Sequence, residues 1–418
     1  MSDMDRLEKN KRIKDSISAT RSKRKHQTCK VFKFKINRSS LSRQQKEALK
    51  MFFVEAKRVY NYILSSQDIF TVTYKDLKNI SYLDKDKNVM PYNIQFIGTS
   101  TIAEVIDTMR ESIKGLSSKK KNGVKVGSLK FKSECNSIRL KQYGITHEIR
   151  GNRFKIQGIK KPIRVCGLKQ LDRYKNIDYT VAHLLYDGYD YYISLTCYID
   201  KENKITNKNI IGIDLGCEST ITTSDGNKYK ISIEESERLK GLQAKLVNQK
   251  RGSNNWYKTK SKIRKEYNRV NNRKNDVTNK VVNKLIQNEI VIIQDDQINQ
   301  WHQDERLSRT VQHSILGRIK SRLLRYDNVI VLDRWFPTSK HCFECGSDIN
   351  LQLSDRTFKC PVCGAELDRD VHAANNMIEF YKRIKSVGTV DSKPVRKYSY
   401  NTYKTLFKQE ALMSLASE

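Results

Sequence analysis

The spacing of apolar residues changes along the chain, and the changes mark out its elements. Residues 29–36 alternate: Phe32, Phe34 and Ile36 share one face, and Val31, Lys33 and Lys35 share the other. A period of two predicts a strand with one basic side. Over residues 43–64 the period lengthens. Leu49, Phe52, Phe53, Ala56, Val59, Tyr60 and Ile63 recur at helical spacing, after Ser40 or Ser42 as a cap, so an amphipathic helix is expected. Its aromatics suit a core better than base stacking. A loop through Pro91 leads to a second such helix over residues 99–116, carrying Ile102, Val105, Ile106, Met109 and Ile113. From Ser137 to Ile199 the alternation returns. Residues 179–185 and 191–199 flank Tyr-Asp-Gly-Tyr-Asp, a hairpin signal. These strands are expected to complete a small barrel begun by residues 29–36, with the helices inserted after its first strand. Residues 201–209 read as a linker.

The second half has a different rhythm. Ile210, Ile211 and Ile213 predict a buried strand, and Asp214 follows where a core would take another apolar side chain. A carboxylate there costs several kcal/mol unless it is paired or holds a metal; capping a turn is the plain alternative. Short strands at 219–224 and 228–232 follow, then a long charged helical region over 234–288, broken by Arg-Gly-Ser-Asn-Asn-Trp-Tyr-Lys. Residues 289–294 and 328–333 are further buried strands, with helices expected at 308–325 and 369–384. This order, β-β-β-(α)-β-α-β-α, is that of the ribonuclease-H fold, which gathers acids at one sheet edge around two divalent metals. Asp370 begins the last helix, where backbone N–H groups are free, so capping is its ordinary use. The third acid should end the strand 289–294, where the chain reads Ile-Ile-Gln-Asp-Asp-Gln. Oxygen ligands of this kind suit magnesium, and a metal pair can stabilise the attacking and leaving oxygens of a phosphodiester.

Composition then narrows the partner. Of 418 residues, 80 are lysine or arginine against 46 acids, a net charge of +34, which implies a polyanionic partner. Residues 117–132 concentrate Lys119, Lys120, Lys121, Lys125, Lys130 and Lys132 with two glycines. A flexible basic loop touching phosphates is expected there. The first 27 residues are basic, lack an apolar face and are expected to be disordered without nucleic acid. No transmembrane run and no secretory h-region are apparent, so a cytoplasmic protein is expected. Five of the nine cysteines are scattered singly, which excludes a disulfide framework. The other four form Cys342-x2-Cys345 and Cys360-x2-Cys363, each pair followed by glycine and separated by fourteen residues. That spacing predicts a closed structural zinc ribbon. Asp370 follows it closely, so the ribbon would deliver the last acid to the catalytic edge.

These motifs resemble a family. Ile-Gly-Ile-Asp-Leu-Gly, the Gln-Asp-Asp strand end followed by Trp301-His302, the run Val311–Leu323, the stretches around both cysteine pairs, and Asp-Arg-Asp-Val-His-Ala-Ala-Asn-Asn-Met-Ile look like the transposon-encoded TnpB proteins. They look equally like the miniature type V CRISPR nucleases. The resemblance spans residues 29–384 and is most specific in the last third. It implies an α/β multidomain protein: a RuvC-like nuclease with an inserted zinc ribbon, preceded by a split β-barrel holding a helical lobe. The implied division is a basic tail at 1–27, a wedge-like barrel at 28–40 and 130–200, and a recognition lobe at 41–129. The nuclease would take 201–336 and 366–390, the ribbon 337–365, and a C-terminal tail 391–418.

The implied activity is RNA-guided cleavage of double-stranded DNA beside a short recognised motif. Its cofactors would be two magnesium ions, replaceable by manganese, one structural zinc and a guide RNA from a transposon end or CRISPR locus. The basic surface would line the guide's channel, in a prokaryotic cytoplasm and on nucleoid DNA. Many relatives carry Glu-Asp where this chain has Gln294-Asp295. Others read Gln-Asp-Glu, with the acid two residues on. Strand alternation puts Asp296 on the face of Gln294 and turns Asp295 away. Asp296 is therefore the expected third acid beside Asp214 and Asp370, with Asp295 the second choice. An Asp is one methylene shorter than Glu, so the site would need closer placement. Two other readings stay open: a guided DNA binder with a weakened nuclease, and a transposase of the same fold.

Overall fold

The protein is described here from a computed structural model covering residues 3–66, 68–84, 86–202, 204–301, 303–352, 355–386 and 397–405. The chain divides into two compact units, Met1–Glu202 and Asn203–Glu418.

In the first unit, helix α1 (Asp3–Lys25) precedes strand β1 (Gln27–Ile36), helix α2 (Arg43–Ser66), strands β2 (Asn79–Leu83) and β3 (Val89–Asn93), and helix α3 (Thr99–Lys121). Strands β4 (Ser137–Leu140), β5 (His147–Arg150), β6 (Arg153–Ile156), β7 (Ile163–Cys166), β8 (Ile177–Tyr186) and β9 (Tyr191–Asp200) follow. Seven of these strands form one antiparallel sheet in the order β4-β8-β9-β1-β7-β6-β5. Phe32, Phe34 and Ile36 point inward, as their alternation requires. Every apolar position expected on α2 is buried, from Leu49 to Ile63. The sheet, α2 and α3 share one hydrophobic core. That core joins segments expected in the barrel, 28–40 and 130–200, with segments expected in the helical lobe, 41–129.

Three local expectations change. The basic N-terminal stretch is helical over Asp3–Lys25 rather than disordered, and its described side chains are almost all exposed. Lys23 and Arg24 tie its last turn to Asp178 at 2.9 and 2.6 Å. The loop through Pro91 is a hairpin, β2 with β3, in which Pro91 pairs with Ser81. A two-stranded ribbon has a free edge on each side, so a missing N–H is tolerated. The lysine loop is partly helix: Lys119, Lys120 and Lys121 form the last turn of α3. Lysine is a good helix former and its charge suits a helix C-terminus. Gly123 at φ +76°, with Val124 N–H donating to the Lys119 carbonyl at 3.0 Å, then stops the helix in a Schellman turn.

The second unit opens with strands β10 (Asn207–Asp214), β11 (Ile221–Thr223) and β12 (Lys228–Tyr229). Helices α4 (Glu237–Val247) and α5 (Asn254–Leu285) come next, each capped by a serine hydroxyl, Ser236 and Ser253. Strand β13 (Asn288–Gln294), helices α6 (Ile298–Trp301), α7 (Glu305–His313) and α8 (Leu316–Leu323), strand β14 (Val329–Leu332), strands β15 (Thr357–Lys359) and β16 (Glu366–Asp368), helix α9 (Arg369–Ser386) and strand β17 (Lys397–Tyr398) complete it. The single helix expected over 308–325 is broken after His313, whose carbonyl is taken by the Ile233 N–H at 3.0 Å. Lys397–Tyr398, expected in a tail, adds a parallel strand to β14, and Tyr400 and Tyr403 pack on Phe336. The rest of that tail, 391–396 and 406–418, lies outside the described residues.

The central sheet runs β12-β11-β10-β13-β14-β17, antiparallel as far as β10 and parallel beyond it. Both faces are covered. Ile211, Ile213, Val291 and Ile293 meet α5 and α8, while Ile292, Ile330 and Leu332 meet α9. On the α9 side the contact is backbone against backbone: a Cβ on Gly212 would lie 1.9 Å from the Ala374 carbonyl oxygen. Ala373 and Ala374 are fully buried and small enough to permit this. Gly212→Ala should therefore force α9 off the sheet and cost about 3 kcal/mol, the upper end for overpacking. Gly241→Ala on α4 has open space around its Cβ and should stabilise by about 0.5–1 kcal/mol. Urea unfolding of the two variants checks the contrast.

Candidate active site and metal centre

Asp214 ends β10, and the close seat of α9 on Gly212 carries Asp370 towards it. Burial raises the Asp214 carboxyl to about 7, and the negative charges of Asp296 and Asp370 add to the rise. Asp214 thus feels the charge of both other acids expected from the sequence, while the three do not form a ligand cluster as tight as that of the cysteines among the described residues. Arg369 and Lys228 oppose the effect only in part. Burial raises Asp296 as well.

The plain alternative for Asp370, capping, is answered by the structure. The cap of α9 is Asp368, whose Oδ1 accepts from the Asp370 and Val371 N–H groups at 3.1 Å each. Asp370, already inside the first turn, is left to face Lys228, whose Nζ stands 3.4 Å from it and 2.7 Å from Asp368.

Asp295 and Asp296 lie just beyond the end of β13 and have different partners. Asp295 accepts from Lys320 at 2.7 Å and Lys397 at 2.5 Å. These ammonium groups hold its carboxyl below the usual range. The charge of Asp296 is among those that raise Asp214. Gln294 has a structural task that the sequence reading missed. It is buried; its Nε2 donates to the Asp333 and Phe336 carbonyls at 3.2 and 2.9 Å, and its Oε1 accepts from Thr338 at 2.9 Å. An amide can donate and accept at once, and a carboxylate can only accept. The glutamine therefore holds the turn that leads into the cysteine ribbon.

In that ribbon the Cys342–Cys363 and Cys345–Cys360 sulfurs lie 3.6 Å apart, and all four lie within 4.8 Å of one another. Tetrahedral Zn–S bonds of about 2.3 Å put sulfurs about 3.8 Å apart, so the donor set fits a closed structural zinc. Among the described residues this is the group of three or more such ligand atoms that converges so tightly. Each knuckle turns on a glycine, Gly346 and Gly364, with φ +77° and +75°. His372 ties the ribbon to α9: its ring stacks on Phe358 at 3.6 Å and its Nε2 donates to the His341 carbonyl at 2.7 Å. Asn376 Nδ2 donates to the Thr338 carbonyl at 2.6 Å. Metal centre and acid are thereby joined through one helix.

The lysines expected to touch phosphate are exposed, but they are not equivalent. Lys132 is engaged with α2: its ammonium lies 3.8 Å above the Tyr60 ring and its backbone pairs with the Asn61 amide. Lys228, Lys320, Asp368 and Gly212 were not singled out from the sequence. Only Asp368, two residues before Asp370 at a helix start, carried a local signal, that of an N-cap.

Comparison with known proteins gives partial matches. Residues 315–377 match the Cas12f1-like TNB domain, and residues 194–294 match OrfB_IS605, described as "Probable transposase". A protein of Streptomyces pristinaespiralis described as "Putative RNA-guided DNA endonuclease" is 30% identical over 203 residues, 45% of this chain and 49% of that protein. The chain thus spans about half the length of this curated relative. The resemblance to TnpB and the miniature type V nucleases holds. The cryo-EM structure of a Cas12f1–sgRNA–target DNA complex aligns with a TM-score of 0.46 at 13% identity, covering 84% of this chain and 99% of the other. Of the TnpB-like motifs, His302 alone lies outside the described residues.

Two outcomes check the site as built. Gln294→Glu, which would restore the acid of many relatives, should lower stability by about 2–4 kcal/mol, because two buried carbonyls lose their donor; thermal unfolding measures it. Cys360→Ser should lose the zinc, which elemental analysis should otherwise find at about one per chain. The variant should also loosen the seat of α9.

Proposed function

We propose that the protein is an RNA-guided, divalent-metal-dependent DNA endonuclease whose second unit is a RuvC-like, ribonuclease-H-type nuclease. The observation that carries this is the burial of Asp214 at the end of β10, where the charges of Asp296 and Asp370 raise its carboxyl further and Arg369 and Lys228 offset them in part. The sheet order supports it, with three antiparallel strands first and parallel crossovers after. So does the description of the Streptomyces relative.

In this reading the three carboxylates hold two magnesium ions, or manganese in their place. Such ions, when bound, supply a hydroxide nucleophile and neutralise charge developing on the phosphate. The chain's own contribution is placement. Asp214 is set by the β10 ladder, Asp370 by the seat of α9 on Gly212, and Asp296 by the end of β13. The zinc of the ribbon is structural. The seven-stranded sheet of the first unit serves as the wedge-like barrel, and Lys119, Lys120, Lys121, Lys125 and Lys130 contact the phosphates of a guide RNA or of the target duplex. The guide comes from a transposon end or CRISPR array, a short motif beside the target is read first, and the protein works on DNA in a prokaryotic cytoplasm.

The reading of a guided binder with a lost nuclease was motivated by Gln294. The turn that Gln294 holds gives the amide a structural role, and the cleavage assay below separates the two readings. The transposase reading has the description of one family model on its side, and strand-transfer assays with transposon ends separate it. Asp214→Ala, Asp296→Ala and Asp370→Ala should each lower magnesium-dependent cleavage of a matched duplex on the order of 1000-fold, with guided binding retained. Asp295→Ala should be milder. The assay uses the full chain with its copurified RNA. Tight guided binding without cutting in any metal would overturn the enzyme.

A further inference from the structure

Asp296 follows the Gln294-Asp295 strand end. A glutamate can search for its ligand position through an extra torsion; an aspartate is aimed almost entirely by its own backbone. The chain is held before and after Asp296. Before it, the Asp295 N–H donates to the Leu332 carbonyl at 2.8 Å, and the Asp295 carboxylate takes Lys320 and Lys397. After it, the Asp296 carbonyl accepts from the Ile298 N–H at 3.0 Å and from Lys320 Nζ at 2.6 Å. One ammonium therefore bridges a side chain and a main-chain oxygen of consecutive residues. Its side chain is only 14% exposed. It rises from α8, whose Leu316, Ile319 and Leu323 are buried in the second unit's core.

We propose that Lys320 is a positioning residue: by clamping the Asp295 carboxylate and the Asp296 carbonyl together, it aims the short Asp296 side chain at Asp214 and so sets the metal affinity of the site. The inference rests on the reading of Asp214, Asp296 and Asp370 as the nuclease acids. Asp295, the rival candidate for the third acid, becomes part of the clamp. Lys397 is the outer partner of Asp295, 64% exposed, and does not reach the Asp296 carbonyl in the hydrogen bonds described.

The test uses the full chain with its copurified RNA and reads the metal site without relying on DNA cleavage. Ferrous ion with ascorbate and peroxide cuts a polypeptide beside bound iron, and mass spectrometry maps the cuts. Wild type should be cut near Asp214, Asp296 and Asp370. Lys320→Met should need about tenfold more iron for half-maximal cutting, in the range for outer-shell partners of metal ligands. Its DNA cleavage should fall about 10- to 100-fold at fixed magnesium and recover as magnesium is raised. Lys320→Arg, which can still donate to both oxygens, should recover most of the affinity, and Lys397→Met should shift it less than Lys320→Met. If Lys320→Met folds poorly by thermal unfolding, Asp295→Asn removes the charge pair at nearly constant shape and should shift the iron midpoint in the same direction. Wild-type iron midpoints in both Lys320→Met and Asp295→Asn would overturn the proposal. Asp296→Ala separates the two levels. Unchanged iron cutting in that variant overturns the nuclease-site reading itself. Loss of cutting there with no effect at Lys320 and Asp295 overturns the positioning role alone.

Discussion

The approach of α9 to β10 at Gly212 is the contact on which the second unit depends. An ordinary helix–sheet seam is spaced by side chains, and here one position has none. With no Cβ at Gly212 and only methyl groups at Ala373 and Ala374, the Ala374 carbonyl sits where any larger residue would collide. This closeness has an electrostatic consequence. It brings the first turn of α9, and Asp370 with it, near the end of a buried strand that already carries Asp214. Two carboxylates and then a third are crowded into partly desolvated surroundings, and Asp214 rises accordingly. Crowding of like charge is unfavourable for a bare fold. A cation-binding role makes sense of keeping it.

The fold contains that repulsion with cations of its own, drawn from different elements. Lys228 comes from the β10–β12 meander and holds Asp368 and Asp370. Lys320 comes from α8 and Lys397 from β17, and both hold Asp295. Asp368 divides the labour further by capping α9, which releases Asp370 from that duty. The ribbon joins the same system from outside. His372 and Asn376, one and two turns into α9, bind its backbone and its Phe358 ring. Ordering four thiols around a metal therefore also orders the helix that carries an acid.

Gln294 illustrates how a motif departure can mislead when read for chemistry alone. In sequence it looks like a missing acid. In the structure it is a buried amide whose donor and acceptor are both used, by Asp333, Phe336 and Thr338. Both roles are open to a residue at a strand end, and only the partners distinguish them.

The sequence by itself determined whatever depends on local spacing. The alternation of Phe32, Phe34 and Ile36, the helical stripe from Leu49 to Ile63, the strands around Asp214 and Gln294, and the paired Cys-x2-Cys knuckles all follow from periods of two or 3.6 and from ligand geometry over a few residues. Asp214 and Asp370 stand where the sequence placed them, at the end of β10 and in the first turn of α9. Tertiary structure alone decided what depends on residues far apart in the chain. It merged the helices and the sheet of the first unit into one core. It drew Lys397–Tyr398 into the second sheet. It paired Lys228 with Asp370 and Lys320 with Asp295 across 142 and 25 residues. Lysines are the commonest charge in this chain, and nothing in the local pattern distinguishes one that holds a buried or half-buried acid from one that is solvated. That distinction is made by which elements pack together, and packing is set by the whole core at once.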